Sequence, residues 1–266
     1  MKCCKVIATC FANRSANRIK QNSSGTSTAG EILEMLKDII SLEKNIDVGI
    51  SMDTILVNND VGYQAGNAYL DSISNTPTQN GTIQVLNREN CGRSFGAYND
   101  AWQKFKEQYD YWLFLEDQYV SVNDGYYSRG IEFLEKYPSC AFASPYGFGR
   151  NSPPHIAEKA AHGGCGFTTR GYLERLEAFE GAWQEKDGAN TPGIYVQCRA
   201  AVLPHYEHNT SEANRNTRLH VCHGEVPFTY AYIKMGYETL QTPYPEDFIF
   251  YWQLNGPRGW KELIKK

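Results

Sequence analysis

No Cys-x-x-Cys pair occurs in this 266-residue chain, and its eight cysteines (Cys3, Cys4, Cys10, Cys91, Cys140, Cys165, Cys198 and Cys222) are widely scattered. Nothing therefore suggests a zinc ribbon, and a chain long enough to bury a full core has no need of disulfide staples, so reduced thiols are expected. No apolar run approaches the ~20 residues needed to cross a bilayer. The opening MKCCKVIATCFANR lacks the longer apolar region and small-residue cleavage site of a signal peptide, which points to the cytoplasm. Basic charge is also not in excess: the net charge of -4 argues against a nucleic-acid partner. The dinucleotide fingerprint G-x-G-x-x-G, internal repeats and low-complexity blocks are all missing. What remains, 41% hydrophobic and 21% charged, is the composition of an ordinary globular protein.

The first half alternates strand and helix signals. CKVIATCF (4 to 11), DTILVNND (53 to 60), TIQVLN (82 to 87) and YDYWLFLE (109 to 116) read as strands, the last nearly continuously apolar as in a sheet covered on both faces. AGEILEMLKDIISLEKN (29 to 45), a short segment near 66 to 74, and SFGAYNDAWQKFKEQ (94 to 108) read as helices. This pattern predicts an α/β fold with a mainly parallel sheet between helices. Residues 12 to 28 read as a long loop. In the second half DGYYSRGIEFLEKYP reads as helix and CAFASPYGF as strand. HGGCGFTTRGYLERLEAF reads as a Gly-rich turn entering a helix, residues 185 to 220 as loop-rich, 223 to 238 as a helix, and LQTPY as the final strand.

In such sheets ligands sit at the carboxyl ends of the strands. Those ends here carry Thr9 to Arg14, Asn58 to Asp60, Asn87 to Arg93, and Glu116-Asp117-Gln118. Paired carboxylates at a strand end suit a divalent cation shared with substrate phosphates, although solvated acids or a helix cap explain them as well. NRENCGRSFGAYNDAW (87 to 102) sets Gly92 and Gly96 around Arg93 at a strand-to-helix junction, an arrangement suited to an anion. An ordinary turn capped by Ser94 is the plainer explanation. His205, His208, His220 and His223, with Cys222, could hold zinc or simply face solvent. Cys165, in GGCGF, is a conceivable thiolate nucleophile, but the glycines explain a tight turn without it.

A strand ending in NND, then N-x-G-x-x-x-G-A-x-N opening a helix, then a hydrophobic run closing in LED, resembles the nucleotide-sugar domain of GT-A fold glycosyltransferases. The similarity is greatest to the family 2-like enzymes of surface polysaccharide biosynthesis. HGGCGFTTRGYLERL (162 to 176) resembles that family's acceptor-side turn and helix, and GEVPFTYAYIKMGYE (224 to 238) its acid-bearing segment. The resemblance spans roughly residues 4 to 245. It implies a GT-A (Rossmann-like) domain over 1 to 245, with a nucleotide-binding half (1 to 120) and an acceptor-binding half (121 to 245). Residues 246 to 266 are then an extension packing on that domain.

The implied activity is transfer of a hexosyl or deoxyhexosyl unit from a UDP-, GDP- or dTDP-linked donor to a glycan or lipid-linked acceptor, with inversion. Donor contacts fall on Thr9, Arg14, Asn59, Asp60, Asn90, Gly92, Arg93, Gly96, Glu116, Asp117 and Gln118. Acceptor contacts fall on His162, Gly163, Gly164 and Cys165, and the general base on Glu225. A divalent cation (Mn2+ or Mg2+) would be held by Asp117 and His223. Two residues depart from the family pattern. Gln118 stands where an acid normally holds the metal, which leaves the cation requirement open, and Val226 replaces the second acid beside Glu225. The aromatic tail FIFYWQ and the basic GWKELIKK suit either packing on the domain or contact with the inner face of a membrane. A nucleotidyltransferase and a catalytically silent nucleotide-sugar-binding module are the alternative readings.

Overall fold

The computed structural model describes residues 1–13, 27–90, 93–146, 161, 163–179, 182–186, 189–196 and 226–254. Strand β1 (Cys3–Thr9) is buried along its whole length and is followed by helix α1 (Ala29–Asn45). Apolar residues at helical spacing, Ile32, Leu33, Leu36, Ile39 and Ile40, are all buried against the sheet. The helix starts at a reciprocal cap: the Thr28 hydroxyl accepts from Glu31 N–H at 3.2 Å, and the Glu31 carboxylate accepts from Thr28 N–H at 2.9 Å.

Strand β2 (Met52–Asp60), helix α2 (Gln64–Ile73), strand β3 (Ile83–Glu89), helix α3 (Arg93–Phe105) and strand β4 (Tyr111–Glu116) complete the alternating half. Strand β5 (Tyr119–Ser121), helix α4 (Tyr126–Lys136) and strand β6 (Cys140–Ser144) follow. Gly125, with φ of 72°, takes the left-handed turn that lets α4 start so soon after β5. Next come strand β7 (Cys165–Thr169), helix α5 (Arg170–Glu177), the antiparallel strands β8 (Ala182–Lys186) and β9 (Ala189–Val196), helix α6 (Val226–Lys234) and strand β10 (Glu238–Gln241). A 3-10 turn (Pro245–Asp247), strand β11 (Phe248–Phe250) and the short helix α7 (Tyr251–Leu254) close the described chain.

The seven-stranded sheet has the order β10-β6-β7-β4-β1-β2-β3. β2, β1 and β4 run parallel to one another and β3 runs parallel to β2, whereas β7 is antiparallel to both β4 and β6. One face is covered by α1, α2 and α4, the other by α3, α5 and α6. The fold is thus mixed α/β with a mainly parallel sheet between helical layers, the class the strand and helix alternation predicts. The second face is an aromatic core in which Phe228 of α6 meets Phe142 at 5.3 Å, Phe95 at 5.6 Å and Phe114 at 6.2 Å between ring centres.

Three elements differ from the sequence expectations. The run around Cys165 is a sheet strand and not only a turn, because pairing with β4 and β6 outweighs its glycine content. Ala182–Lys186 and Ala189–Val196, partly read as loop, pair as antiparallel strands. β10 is not the last strand, since β11 pairs antiparallel with β5. Residues 14–26, most of the expected loop at 12 to 28, lie outside the described residues, as does the basic tail beyond 254.

Candidate functional site

Because β1 to β4 run the same way, Thr9, Asp60, Glu89 and Glu116 finish on one edge of the sheet. The four strand ends singled out in the sequence therefore converge. Glu116, Asp117 and Gln118 are all buried. A buried carboxylate is tolerable only when donors surround it, and these have them. Asp117 Oδ2 accepts from Thr9 Oγ1 at 2.9 Å, while its N–H donates to the Ala8 carbonyl at 3.1 Å. Glu116 Oε1 accepts from Ser94 Oγ of α3 at 3.0 Å, and Glu116 Oε2 accepts from Gln118 Nε2 at 2.7 Å.

A second network lies at the ends of β2 and β3. Arg88 donates through Nη1 to Asn59 Oδ1 and through Nε to Asp100 Oδ2 of α3, both at 2.5 Å. Since a guanidinium only donates, this bond fixes the Asn59 amide with its oxygen toward Arg88. Asn58 Nδ2 donates to Asn67 Oδ1 at 2.9 Å and to Asn87 Oδ1 at 3.1 Å. Asp60 Oδ1 accepts from Gly62 N–H at 2.8 Å and Asn67 Nδ2 at 3.0 Å, and these bonds hold its carboxyl below the usual aspartate value. Asn90 Nδ2 approaches Cys10 Sγ at 3.7 Å.

Gly163 and Gly164 form a buried turn before β7. The Gly164 carbonyl accepts from Glu116 N–H at 3.1 Å and from Tyr98 Oη at 3.3 Å, which ties the segment expected at the acceptor side to the acidic strand end. Cys165 itself is wholly buried. Burial, and next the Glu116 carboxylate, push its thiol well above the usual cysteine value. A thiolate nucleophile there has no physical support, and the side chain is not presented to a ligand. Gly96 is buried in α3, and Arg93 opens that helix. Arg14, Gly92, His162, His205, His208, His220, His223 and Glu225 lie outside the described residues.

Two contributors went unrecognised in the sequence. Arg88 is a cation among the strand-end amides, a signal readable only once β2 and β3 are known to pair at Asn59↔Arg88. Ser94 reads as a helix cap, yet its hydroxyl is spent on Glu116.

Of the two residues expected to hold a divalent cation, Asp117 is bonded to Thr9 and His223 lies outside the described residues. Both oxygens of Glu116 accept hydrogen bonds, and Gln118 brings an amide donor instead of a third carboxylate. Among the described residues no group of three His, Cys, Asp or Glu side chains is arranged to hold a metal.

No protein-family model matches this chain, and no curated protein matches its sequence. Among solved structures, S. aureus TarS aligns with a TM-score of 0.37 and 13% identity, over 66% of this chain and 30% of that one. A shorter TarS structure, residues 1–349, aligns with 0.38 and 10% identity, over 84% and 55%. A cytidylyltransferase from Leptospira borgpetersenii aligns with 0.44 and 13% identity, over 91% and 76%. The chain thus spans about a third of the first TarS structure and just over half of the second.

Proposed function

We propose that this protein is a glycosyltransferase that binds a nucleoside-diphosphate sugar at the carboxyl edge of its sheet and moves the sugar to a glycan or lipid-linked acceptor. The observation that carries this reading is the meeting at that edge, beside the first turn of α3, of two adjacent polar sets: Thr9 bonded to Asp117, and Ser94 and Gln118 both bonded to Glu116. The ordered motifs that resemble the family 2-like GT-A enzymes support it further. UDP-, GDP- and dTDP-linked sugars are the candidate donors. Asn59 and Asp60, at the β2 end, are the proposed contacts of the base, and Asn90, Gly92, Arg93 and Gly96 are the proposed contacts of the diphosphate.

The chemistry is displacement at the anomeric carbon. Glu225, one residue before α6, takes the proton of the acceptor hydroxyl as its oxygen forms the new bond to that carbon. The bond from the anomeric carbon to the diphosphate oxygen breaks from the opposite face, and the diphosphate leaves with the electron pair. The configuration inverts. Arg93 and the amino end of α3 stabilise the charge that grows on the leaving group. With an amide at Gln118 in place of an acid, Arg93 compensates the leaving-group charge without a cation, and turnover of a labelled nucleotide-sugar should survive EDTA.

The test is transfer or hydrolysis of radiolabelled UDP-, GDP- and dTDP-sugars. Glu225→Ala should lower turnover by about 10²-fold or more while donor binding is kept. Full activity in that variant would remove Glu225 as the base. The Gln118 hydrogen bond to Glu116 also favours a second reading, a silent nucleotide-sugar-binding module, and tight donor binding without turnover would select it. Release of pyrophosphate from a nucleoside triphosphate would select a nucleotidyltransferase instead.

A further inference from the structure

The loop that carries Asp117 and Gln118 is gripped from a distant part of the chain. β11 adds antiparallel to β5, the strand that begins directly after Gln118, with Phe250 opposite Tyr119 and Phe248 opposite Ser121. Just past β11, Tyr251 N–H donates to the Gln118 carbonyl at 2.8 Å, and Tyr251 Oη donates to Asp38 of α1 at 2.6 Å. Phe248 O also accepts from Tyr146 Oη at 2.7 Å, and the Tyr119 ring lies 5.0 Å from Phe250.

This segment is pinned at Asp247. Its carboxylate is buried and accepts from Arg129 Nη2 at 2.5 Å, Arg129 Nε at 3.0 Å and Asn123 Nδ2 at 3.2 Å, while its carbonyl accepts from Val122 N–H at 3.0 Å. A buried carboxylate with a two-pronged guanidinium partner is costly to leave half-paired, so it fixes register where a three-residue strand alone would slip.

We infer that Asp247, held by Arg129 and Asn123, is a positioning residue: through β11 and the Tyr251–Gln118 bond it sets the place of the Asp117-Gln118 loop in the donor site. This rests on the donor-site reading above. The strap acts on the geometry of the carboxylates and touches no substrate, and displacement of a binding group by about 1 Å is enough to cost an order of magnitude or more.

The test compares wild-type protein with Asp247→Asn, Asn123→Ala and, as a control, Glu246→Ala, whose side chain is exposed beside the strap. Three readouts are taken: calorimetric affinity for UDP, GDP and dTDP, amide exchange of peptides covering 117 to 122, and melting temperature. Asp247→Asn should weaken nucleotide binding roughly tenfold and speed exchange in that peptide, with β1 and β2 peptides unchanged. Asn123→Ala should give a smaller change of the same kind, and Glu246→Ala none. Unchanged affinity in a folded Asp247→Asn protein, or faster exchange across the whole sheet, would overturn the positioning role. If wild-type protein binds none of the three nucleotides, the donor-site reading fails. The exchange arm then still decides whether Asp247 sets the loop.

Discussion

Gln118 differs from a glutamate by an amide, and that difference decides how Glu116 is used. A third carboxylate 2.7 Å from Glu116 would repel it, whereas the amide donates to it and leaves the site less negative. Cys10 reports on the same site. It is the partly exposed thiol at the end of β1, while Cys3, Cys4, Cys140 and Cys165 are buried, and burial pushes Cys3 and Cys140 up to about 11. Iodoacetamide at neutral pH should therefore alkylate Cys10 well before those four, as mapped by mass spectrometry. Saturating nucleoside diphosphate should slow Cys10 alkylation if the donor lies at this edge. Equal labelling of Cys165 would contradict the buried β7.

At the scale of elements, one buried ion pair joins three of them. Lys5 of β1 is wholly buried, pairs with Glu43 of α1, donates to Tyr126 Oη of α4 at 2.5 Å and lies 4.9 Å from that ring centre. Burial lowers the Lys5 pKa from its usual value, and the Glu43 carboxylate offsets part of that. Removing one partner strands the other in a dry core. Glu43→Leu should thus cost about 3–5 kcal/mol in urea unfolding, and adding Lys5→Met should recover most of it. Additive losses would mean the pair is not coupled. No periodicity argument exposes this pair, because a lysine in a strand and a glutamate near a helix end are ordinary surface signals in sequence. The strands and helices of the first half were legible because each buried face repeats at its own period, as Ile32, Leu36 and Ile39 do in α1. β7 was not, since it is fixed by pairing with the distant β4 and β6, and the β8–β9 pair was not, since its polar stretch shows no buried period.

Across the whole molecule, one strand-end edge collects residues from four strands, the first turn of α3 and the turn before β7, and is braced by a segment more than 120 residues downstream of Gln118. The sequence carried the edge itself, because NND, NREN and LEDQ are polar breaks after apolar runs. It did not carry the partners within it: Thr9 with Asp117 and Arg88 with Asn59 meet only through the parallel registry of β1 with β4 and of β2 with β3. The most direct measurement of the central claim is titration of UDP, GDP and dTDP into wild-type protein and Asp117→Ala. At least one nucleotide should bind the wild type and lose about tenfold or more in the variant, at an unchanged fold by circular dichroism. Binding that ignores Asp117, or that is absent for all three nucleotides, would contradict a donor site at this edge.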